Sequence, residues 1–213
     1  MRTSTSNRRF AFTVIELVAI IVIVTMLFVL LFTGLPRARH QARNKQCIRN
    51  LQQVGLAFRQ WNNEGDRFPM KYPDIRGGSM ESATNGEIFR TFVVMSNELQ
   101  TPKILICPAD TRTPAVNLSP GLANSNVSYF IGIDADETRP QMLLSGDRNL
   151  TNGPLPPNRV LLLTTNSAPG WDQQLHKFRG NVGLADGSVQ GSDTTHLRAA
   201  VTNAGDPTLL AIP

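Results

Sequence analysis

The stretch from Phe12 to Leu35 reads FTVIELVAIIVIVTMLFVLLFTGL, and Glu16 is the one charged residue in it. At about 1.5 Å per residue, a helix of these 24 residues is long enough to cross the roughly 30 Å hydrocarbon core of a membrane. A cleaved secretory signal has a shorter apolar region of about 7 to 15 residues, followed by small residues at its cleavage site. We therefore predict a transmembrane helix over residues 12–35, preceded by a leader of residues 1–11.

Glu16 is an energetically unfavourable residue for this helix. A carboxylate costs about 2.5 to 3.5 kcal/mol at the centre of a membrane helix and less near its end. An ionisable side chain inside a membrane segment therefore indicates a functional contact with a partner group. Glu16 is a candidate for such a contact.

Apolar residues continue after the membrane segment at steps of three and four. Because this spacing places them on one face, it predicts an amphipathic helix over residues 36–61. Gly34 and Pro36 are expected to weaken or kink its junction with the membrane segment, since proline lacks a backbone donor and clashes with the preceding turn. A helix lying on an anionic membrane surface is an alternative, because five basic residues occupy positions 37–49.

Residues 62–213 are numerous enough to bury one hydrophobic core and predict a single β-rich domain. A short helix is expected from Glu87 to Asn97. A closing helix is expected from Thr194 to Asn203, with Ser192 or Asp193 as its N-cap.

Several short segments rich in β-branched and apolar residues predict strands between these two helices. Asp186 and Gly187 predict a type I′ hairpin turn between the last two strands. The pattern as a whole predicts an α+β fold, in which the outer half of a long N-terminal helix packs against an antiparallel sheet. The predicted strands are Ile104–Cys107, Ser128–Ile133, Met142–Ser145, Val160–Thr165, Val182–Ala185 and Ser188–Gln190.

The formal net charge of +5 comes from the N-terminal part of the chain. Eight of the 21 Lys and Arg residues precede residue 50, leaving 13 against 15 Asp and Glu in the rest. A nucleic-acid-binding domain usually carries a basic surface, and the C-terminal domain has no such excess. The sequence therefore predicts no nucleic-acid partner.

Catalytic chemistry has little support in the spacing of reactive residues. Cys107 and His176 can be paired as a nucleophile and a base, and Asp147 can be added as an acid–base or metal-binding group. The chain has no Gly-x-Ser-x-Gly motif, no Walker loop and no Cys or His pairs at zinc-ligand spacing. We therefore predict neither an enzyme nor a resident cofactor, and His176 and Asp186 are interpreted as loop and turn residues.

Asp134, Asp136 and Glu137 form a short acidic segment that offers oxygen ligands to Ca²⁺. The segment matches no EF-hand pattern, so a solvated loop is the favoured interpretation and a calcium site the weaker alternative.

The segment Ala11-Phe12-Thr13-Val14-Ile15-Glu16-Leu17 resembles the cleavage and methylation motif of type IV prepilins and type II secretion pseudopilins. The resemblance implies that a prepilin peptidase cuts between Ala11 and Phe12 and that the new terminus is N-methylated. Ala11 departs from the family, which usually has Gly before the cut. A pilin-like fold is also implied.

The same resemblance implies a partner for Glu16. In pilin-like filaments this carboxylate meets the positive amino terminus of a neighbouring subunit, and a buried charge is tolerated when it is paired. Like subunits, other pseudopilins and the prepilin peptidase/N-methyltransferase are therefore the expected partners. The implied location is the inner membrane, crossed once, with a cytoplasmic N-terminus and a periplasmic C-terminal domain.

A second resemblance covers nearly the whole chain. Four segments are similar, in the same order, to motifs of prepilin-type proteins abundant in planctomycete and verrucomicrobial bacteria. The segments are Cys-x-x-Asn-Leu from Cys47, Cys-Pro-x-Asp from Cys107, Gly-Asp-Arg-Asn at residues 146–149, and the signature His-x9-Asp-Gly formed by His176, Asp186 and Gly187.

The implied periplasmic location is oxidising, so Cys47 and Cys107 are candidates for a disulfide. Two separate buried thiols are the alternative, because free cysteine behaves as a small apolar residue. The resemblance as a whole implies a structural subunit of a type II secretion or type IV pilus-like envelope filament. The alternative function is a monomeric membrane-anchored periplasmic protein that binds a glycan or another envelope component.

Overall fold

The structure is a computed structural model and describes residues 13–62, 67–205 and 207–213. Its first element is helix α1, Val14–Asn62, which contains Pro36. The helical assignment continues through this proline, so the expected weakening of the junction does not end the helix. The chain divides into two compact units, with the boundary between Gln41 and Ala42.

The first part of α1 is long and apolar enough to cross a membrane. Its large apolar side chains from Val14 to Leu30 are between 48% and 80% exposed. Exposed apolar surface of this extent is unfavourable in water, which is consistent with a membrane anchor.

The unit from Ala42 to Pro213 contains the rest of α1 and an antiparallel sheet. Six strands pair in the order β4-β8-β1-β2-β6-β7, and β3 pairs with β5 in a separate small sheet. The predicted α+β class is therefore confirmed. The strands are β1 Tyr129–Gly132, β2 Leu143–Asp147, β3 Leu150–Thr151, β4 Val160–Leu163, β5 Gly170–Trp171, β6 Gly180–Leu184, β7 Val189–Ser192 and β8 Thr208–Ala211.

Within the described residues four further α-helices follow α1, and the last of them precedes strand β8. It begins after Asp193, whose side chain accepts a hydrogen bond from the backbone N–H of His196, as expected for an N-cap. The four are α2 Met80–Thr84, α3 Phe89–Val94, α4 Ser96–Leu99 and α5 Thr194–Ala204; single 3₁₀ turns lie at Pro69–Lys71, Asp74–Arg76, Pro102–Leu105 and Asn124–Asn126.

Buried side chains cover both faces of the main sheet. Successive side chains of a strand point to opposite faces, so neighbouring residues of β1 show what packs on each face. In β1, Ile131 joins a buried cluster that contains Phe58 of α1 and residues of α2 and α3. Its neighbour Phe130 joins a second cluster with Leu197 and Val201 of α5. The outer part of α1 and helix α5 therefore pack on opposite sides of the sheet.

The structure differs from the predicted elements in several places: the helix expected from Glu87 to Asn97 is two short helices, α3 and α4, and strands β3 and β5 were not predicted. The expected strand at Ile104–Cys107 is wrong, because Pro102 starts a 3₁₀ turn whose N-cap Thr101 accepts a hydrogen bond from the backbone of Lys103. Strand β8 was not predicted, since its four residues lie between two prolines and show no alternation of polar and apolar side chains.

The hairpin at Asp186 and Gly187 is present between β6 and β7, but the predicted turn type is wrong. Gly187 has a φ of 86°, whereas Asp186 is not among the described residues with positive φ. Leu184 and Ser188 are joined by a hydrogen bond of 2.9 Å, which leaves a three-residue loop with glycine in the left-handed position.

Candidate metal centre

Four side chains from distant parts of the chain meet in the interior of the second unit. They are Cys47 of α1, Cys107 just after the Pro102–Leu105 turn, Asp147 at the end of β2, and His176 between β5 and β6. Their sulfur, nitrogen and oxygen atoms all lie within 4.8 Å of one another, and each residue is at most 3% exposed. Across residues 13–62, 67–205 and 207–213, no other group of three or more His, Cys, Asp or Glu converges in this way. We call these four residues the buried cluster.

Direct contacts link the members of the buried cluster in pairs. The Cys47 thiol donates to Oδ1 of Asp147 over 3.0 Å. Nε2 of His176 lies 3.3 Å from the sulfur of Cys107 and 3.4 Å from Oδ2 of Asp147. The hydroxyl of Tyr129 lies next to the buried cluster, 3.5 Å from the sulfur of Cys47.

Neighbouring polar residues hold the segment that carries Cys107. The amide of Asn50, one turn after Cys47 in α1, donates to the carbonyl oxygen of Ile106 over 2.8 Å. Ser128, beside β1, donates its backbone N–H to the carbonyl of Leu105. Cys107 is thereby tied to both α1 and the sheet.

The loop with His176 is held by Asn149, which follows β2. The Asn149 amide donates to the carbonyl oxygens of Asp172 and Arg179, over 3.2 and 2.9 Å, on either side of the loop. Lys177 and Phe178 have φ values of 54° and 62°, in the left-handed region that non-glycine residues rarely adopt. This backbone turn directly after His176 brings the chain back towards β6.

Asn181 of β6 orients the carboxylate of Asp147. Its backbone N–H and its side-chain amide both donate to Oδ2 of Asp147, over 2.7 and 2.8 Å. The same amide donates to Oδ1 of Asn44 in α1 over 2.9 Å. The carboxylate is thus fixed by one residue that also contacts the helix.

Burial sets the direction of the pKa shift at two members of the buried cluster and is outweighed by neighbouring groups at the other two. It raises the pKa of Asp147 despite the opposing effects of His176, Cys47 and Asn181, and it raises the pKa of Cys47. Hydrogen bonding with Cys47 lowers the pKa of Cys107 to about 7 against the effect of burial, with a further contribution from His176. For His176, burial is outweighed by Cys107 and Asp147, and the pKa rises. The buried cluster thus holds two thiols and one carboxyl beside a single imidazole, each on a residue that is at most 3% exposed.

The geometry does not form a cysteine–histidine–acid relay. In such a relay the acid binds one ring nitrogen of histidine while the other nitrogen faces the nucleophile. Here Cys107 and Asp147 both approach the same atom, Nε2 of His176. The arrangement instead resembles a set of ligands directed at one point.

The predicted disulfide involves two members of the buried cluster. Cys47 and Cys107 are separate thiols in the structure. Their sulfur atoms are within 4.8 Å of each other, whereas a disulfide requires about 2.05 Å. The disulfide therefore stays a prediction that requires the two sulfurs to move together.

The other predicted site residues lie elsewhere. Ala11 and Phe12 are outside the described residues. Glu16 is exposed, and its Oε2 accepts hydrogen bonds from the backbone N–H and the hydroxyl of Thr13, over 2.8 and 2.7 Å. Asp186 and Gly187 form the hairpin described above and do not join the buried cluster.

The three acidic residues considered for Ca²⁺ contact different parts of the molecule. Asp134 accepts a hydrogen bond from the backbone N–H of Leu209 in β8, and burial raises its pKa. Asp136 accepts two from Thr138, and Glu137 lies 3.7 Å from Arg59 of α1. In the part of the chain that is described, these carboxylates do not converge.

The buried cluster was not predicted as a unit. The sequence predicts Cys47 and Cys107 as a disulfide or as separate buried thiols, Asp147 as an acid–base or metal-binding group, and His176 as a base or loop residue, but it does not predict that the four meet. The signal that could have found it is that each member belongs to a different one of the four motifs that make up the second resemblance. Motifs that are short and far apart in sequence meet at one point in the fold.

Comparison of the chain with protein-family models, with curated proteins and with solved structures finds no match in any of the three. The class that the fold defines is an α+β domain attached to an apolar N-terminal helix able to span a membrane.

Proposed function

We propose that this chain is a pilin-like structural subunit, a pseudopilin, of a type II secretion or type IV pilus-like envelope filament. It is processed by a prepilin peptidase between Ala11 and Phe12, is held in the inner membrane with its C-terminal domain in the periplasm, and assembles through α1. The observation that carries the proposal is the composition of α1. One helix has an exposed apolar first part with a single carboxylate, and a second part that packs into an antiparallel-sheet domain.

Glu16 is the residue through which assembly is expected. The two hydrogen bonds from Thr13 satisfy one carboxylate oxygen but leave the negative charge uncompensated. A buried carboxylate is stabilised by a cationic partner, and the N-methylated amine of Phe12 in a neighbouring subunit supplies one after processing.

A second candidate function, a membrane-anchored periplasmic binding protein, is favoured by one cavity. It has a volume of about 290 Å³ and is lined by three arginines, Arg112, Arg148 and Arg159, together with Asp172 and Gln174. Arginines at a cleft are suited to anionic groups such as the carboxylates of acidic glycans. Arg148 already pairs with Asp110 and Arg112 donates to backbone carbonyls, so Arg159 is the arginine best placed to receive such a group.

Processing is tested by mass spectrometry of the N-terminal peptide after expression in a bacterium that has a prepilin peptidase. We expect N-methylated Phe12 as the first residue. An intact Met1, or a terminus near Leu35, contradicts the proposed processing.

Assembly is tested by disulfide crosslinking between chains in the native membrane, with single cysteines introduced at Ile20, Val24 or Leu27 of α1. The wild-type chain is the control, since its own two thiols are buried. Glu16→Gln keeps the shape of the side chain but removes the charge, and we expect normal insertion without crosslinks. Thr13→Ala removes only the hydroxyl contact and is expected to retain them. A chain that stays monomeric in every case favours the binding protein.

A further inference from the structure

The buried cluster has no role in the proposed filament contact, which lies on the first unit of the chain. Its composition is nevertheless specific: two thiols, one imidazole and one carboxylate. These are the side chains that bind Zn²⁺, and four of them complete the tetrahedral coordination of a structural zinc site.

The distances between the candidate ligand atoms fit such a site. Zinc bonds of about 2.0 to 2.3 Å in a tetrahedron place neighbouring ligand atoms roughly 3.3 to 3.8 Å apart. The sulfur of Cys107 and Oδ2 of Asp147 lie 3.3 and 3.4 Å from Nε2 of His176. The sulfur of Cys47 lies 3.0 Å from Oδ1, the other oxygen of Asp147, and no pair of ligand atoms exceeds 4.8 Å, so small shifts of the side chains bring all four to the distances of a zinc site.

A metal also explains why all four residues are buried together. A disulfide would involve Cys47 and Cys107 alone, and not the neighbouring pair of Asp147 and His176. Carboxylates and imidazoles are rarely buried unless they are paired or coordinate a metal. A divalent cation would offset two of the three negative charges of the carboxylate and the two thiolates at one point.

The residues around the buried cluster resemble the outer shell of a metal site. Ligands in such sites are oriented by further hydrogen bonds, which fix the position of each donor atom. Asn181 holds Asp147 in this way, while Asn50 and Asn149 hold the segments that carry Cys107 and His176. Each of these supports comes from outside the four candidate ligands.

We propose that the buried cluster binds one Zn²⁺ ion as a structural centre. Cys47 and Cys107 bind as thiolates, His176 through Nε2, and Asp147 through one carboxylate oxygen. The two thiols release their protons to solvent on binding, and no electrons are transferred. Because the protein supplies all four ligands and the residues are buried, the ion stabilises the packing of α1 on the sheet and has no open position for a substrate.

The proposal is tested on the full chain, purified in detergent under reducing conditions without chelators. After incubation with Zn²⁺ and removal of unbound metal, elemental analysis is expected to give about one zinc per chain, in line with one four-ligand site. With Co²⁺ instead, we expect a thiolate-to-cobalt charge-transfer band and the visible bands of tetrahedral cobalt. The chain has only two cysteines, so the charge-transfer band reports on this site alone.

Matched variants locate the metal. Cys107→Ser and His176→Gln are each expected to lower the affinity for zinc more than about tenfold, since each removes a ligand. His196→Gln is the control, because His196 also pairs with a carboxylate, Asp193 at 2.9 Å, but on the surface and without cysteines. It is expected to bind metal like the wild type.

Two results overturn the proposal. One is the absence of a charge-transfer band in the reduced wild-type chain with excess Co²⁺, a result that does not depend on whether any variant folds. The other is a disulfide between Cys47 and Cys107 in chain isolated from the envelope without reductant. It would appear as an intact mass lower by two hydrogens than that of the reduced chain, and as a linked peptide that contains both cysteines.

Discussion

Arg148 and Asp110 form a two-pronged ion pair that connects two segments of the buried cluster. Nε and Nη2 of Arg148 donate to the two carboxylate oxygens of Asp110 over 2.8 and 2.9 Å, and the Asp110 side chain is 1% exposed. Arg148 directly follows Asp147, and the backbone N–H of Asp110 closes a turn on the carbonyl of Cys107. The pair therefore keeps the end of β2 next to the Cys107 turn.

Loss of this pair is expected to destabilise the second unit. Asp110→Asn removes the charge while Arg148 stays partly buried, and breaking a buried pair typically costs about 3 kcal/mol. Chemical denaturation of the full chain in detergent measures the change. Glu87→Gln is the matched control, because the Glu87–Arg90 pair is about half exposed on both sides and exposed pairs contribute about 1 kcal/mol or less. Equal effects of the two substitutions would contradict this role for Arg148 and Asp110.

The N-cap of α5 is expected to weaken in acid. Hydrogen bonds from the backbone N–H and the ring of His196 hold the pKa of Asp193 below its usual value. A lowered folded pKa means that the stabilisation is present above the unfolded value of about 3.9 and is lost as the pH falls through the folded value. Hydrogen exchange of the His196 amide, corrected for its intrinsic rate, should lose protection in this range. Asparagine also caps helices but does not ionise. In Asp193→Asn the protection of the His196 amide should therefore not change as the pH falls through this range.

Much of the fold could be predicted from local patterns. Helix α1 follows from the apolar run and from the stripe after it, and α5 follows from Asp193 as its N-cap. Strand β8 could not be predicted in this way, because its place between β4 and β1 is set by pairing with residues far away in sequence.

The candidate metal centre depends even more on tertiary structure. Cys47 meets Asp147 because α1 packs beside β1 and because Tyr129 of β1 pairs with Asp147 of β2. None of the four ligands lies within the short spacing by which zinc sites are recognised in sequence. The residue types were visible in the sequence, but their convergence was not.

Two glycines at one contact are expected to respond oppositely to alanine. Gly55 of α1 faces Gly187 of the hairpin, and a Cβ on Gly55 would lie 3.7 Å from Cα of Gly187, an ordinary contact. Gly55→Ala should therefore stabilise α1 by up to about 1 kcal/mol through its higher helix propensity. Gly187 has a φ of 86°, so Gly187→Ala should destabilise the hairpin by about 1 kcal/mol or more. Denaturation curves of the two variants measure both effects, and a shift of both in the same direction would refute the assigned conformations.

Asn181 is expected to tune the affinity of the proposed zinc site without being a ligand. Asn181→Ala removes the side-chain hydrogen bond to Asp147 but keeps the one from the backbone. Loss of such an outer contact usually weakens metal binding by about 10- to 100-fold, and the stoichiometry should stay at one ion. Competition with a chromogenic chelator measures the affinity, with Asn158→Ala as the control, since the Asn158 side chain accepts a hydrogen bond from the backbone N–H of Val160 at the start of β4. An unchanged affinity in Asn181→Ala would show that Asp147 does not depend on Asn181 for its orientation, and loss of all zinc would show that the substitution disrupts the fold around β6.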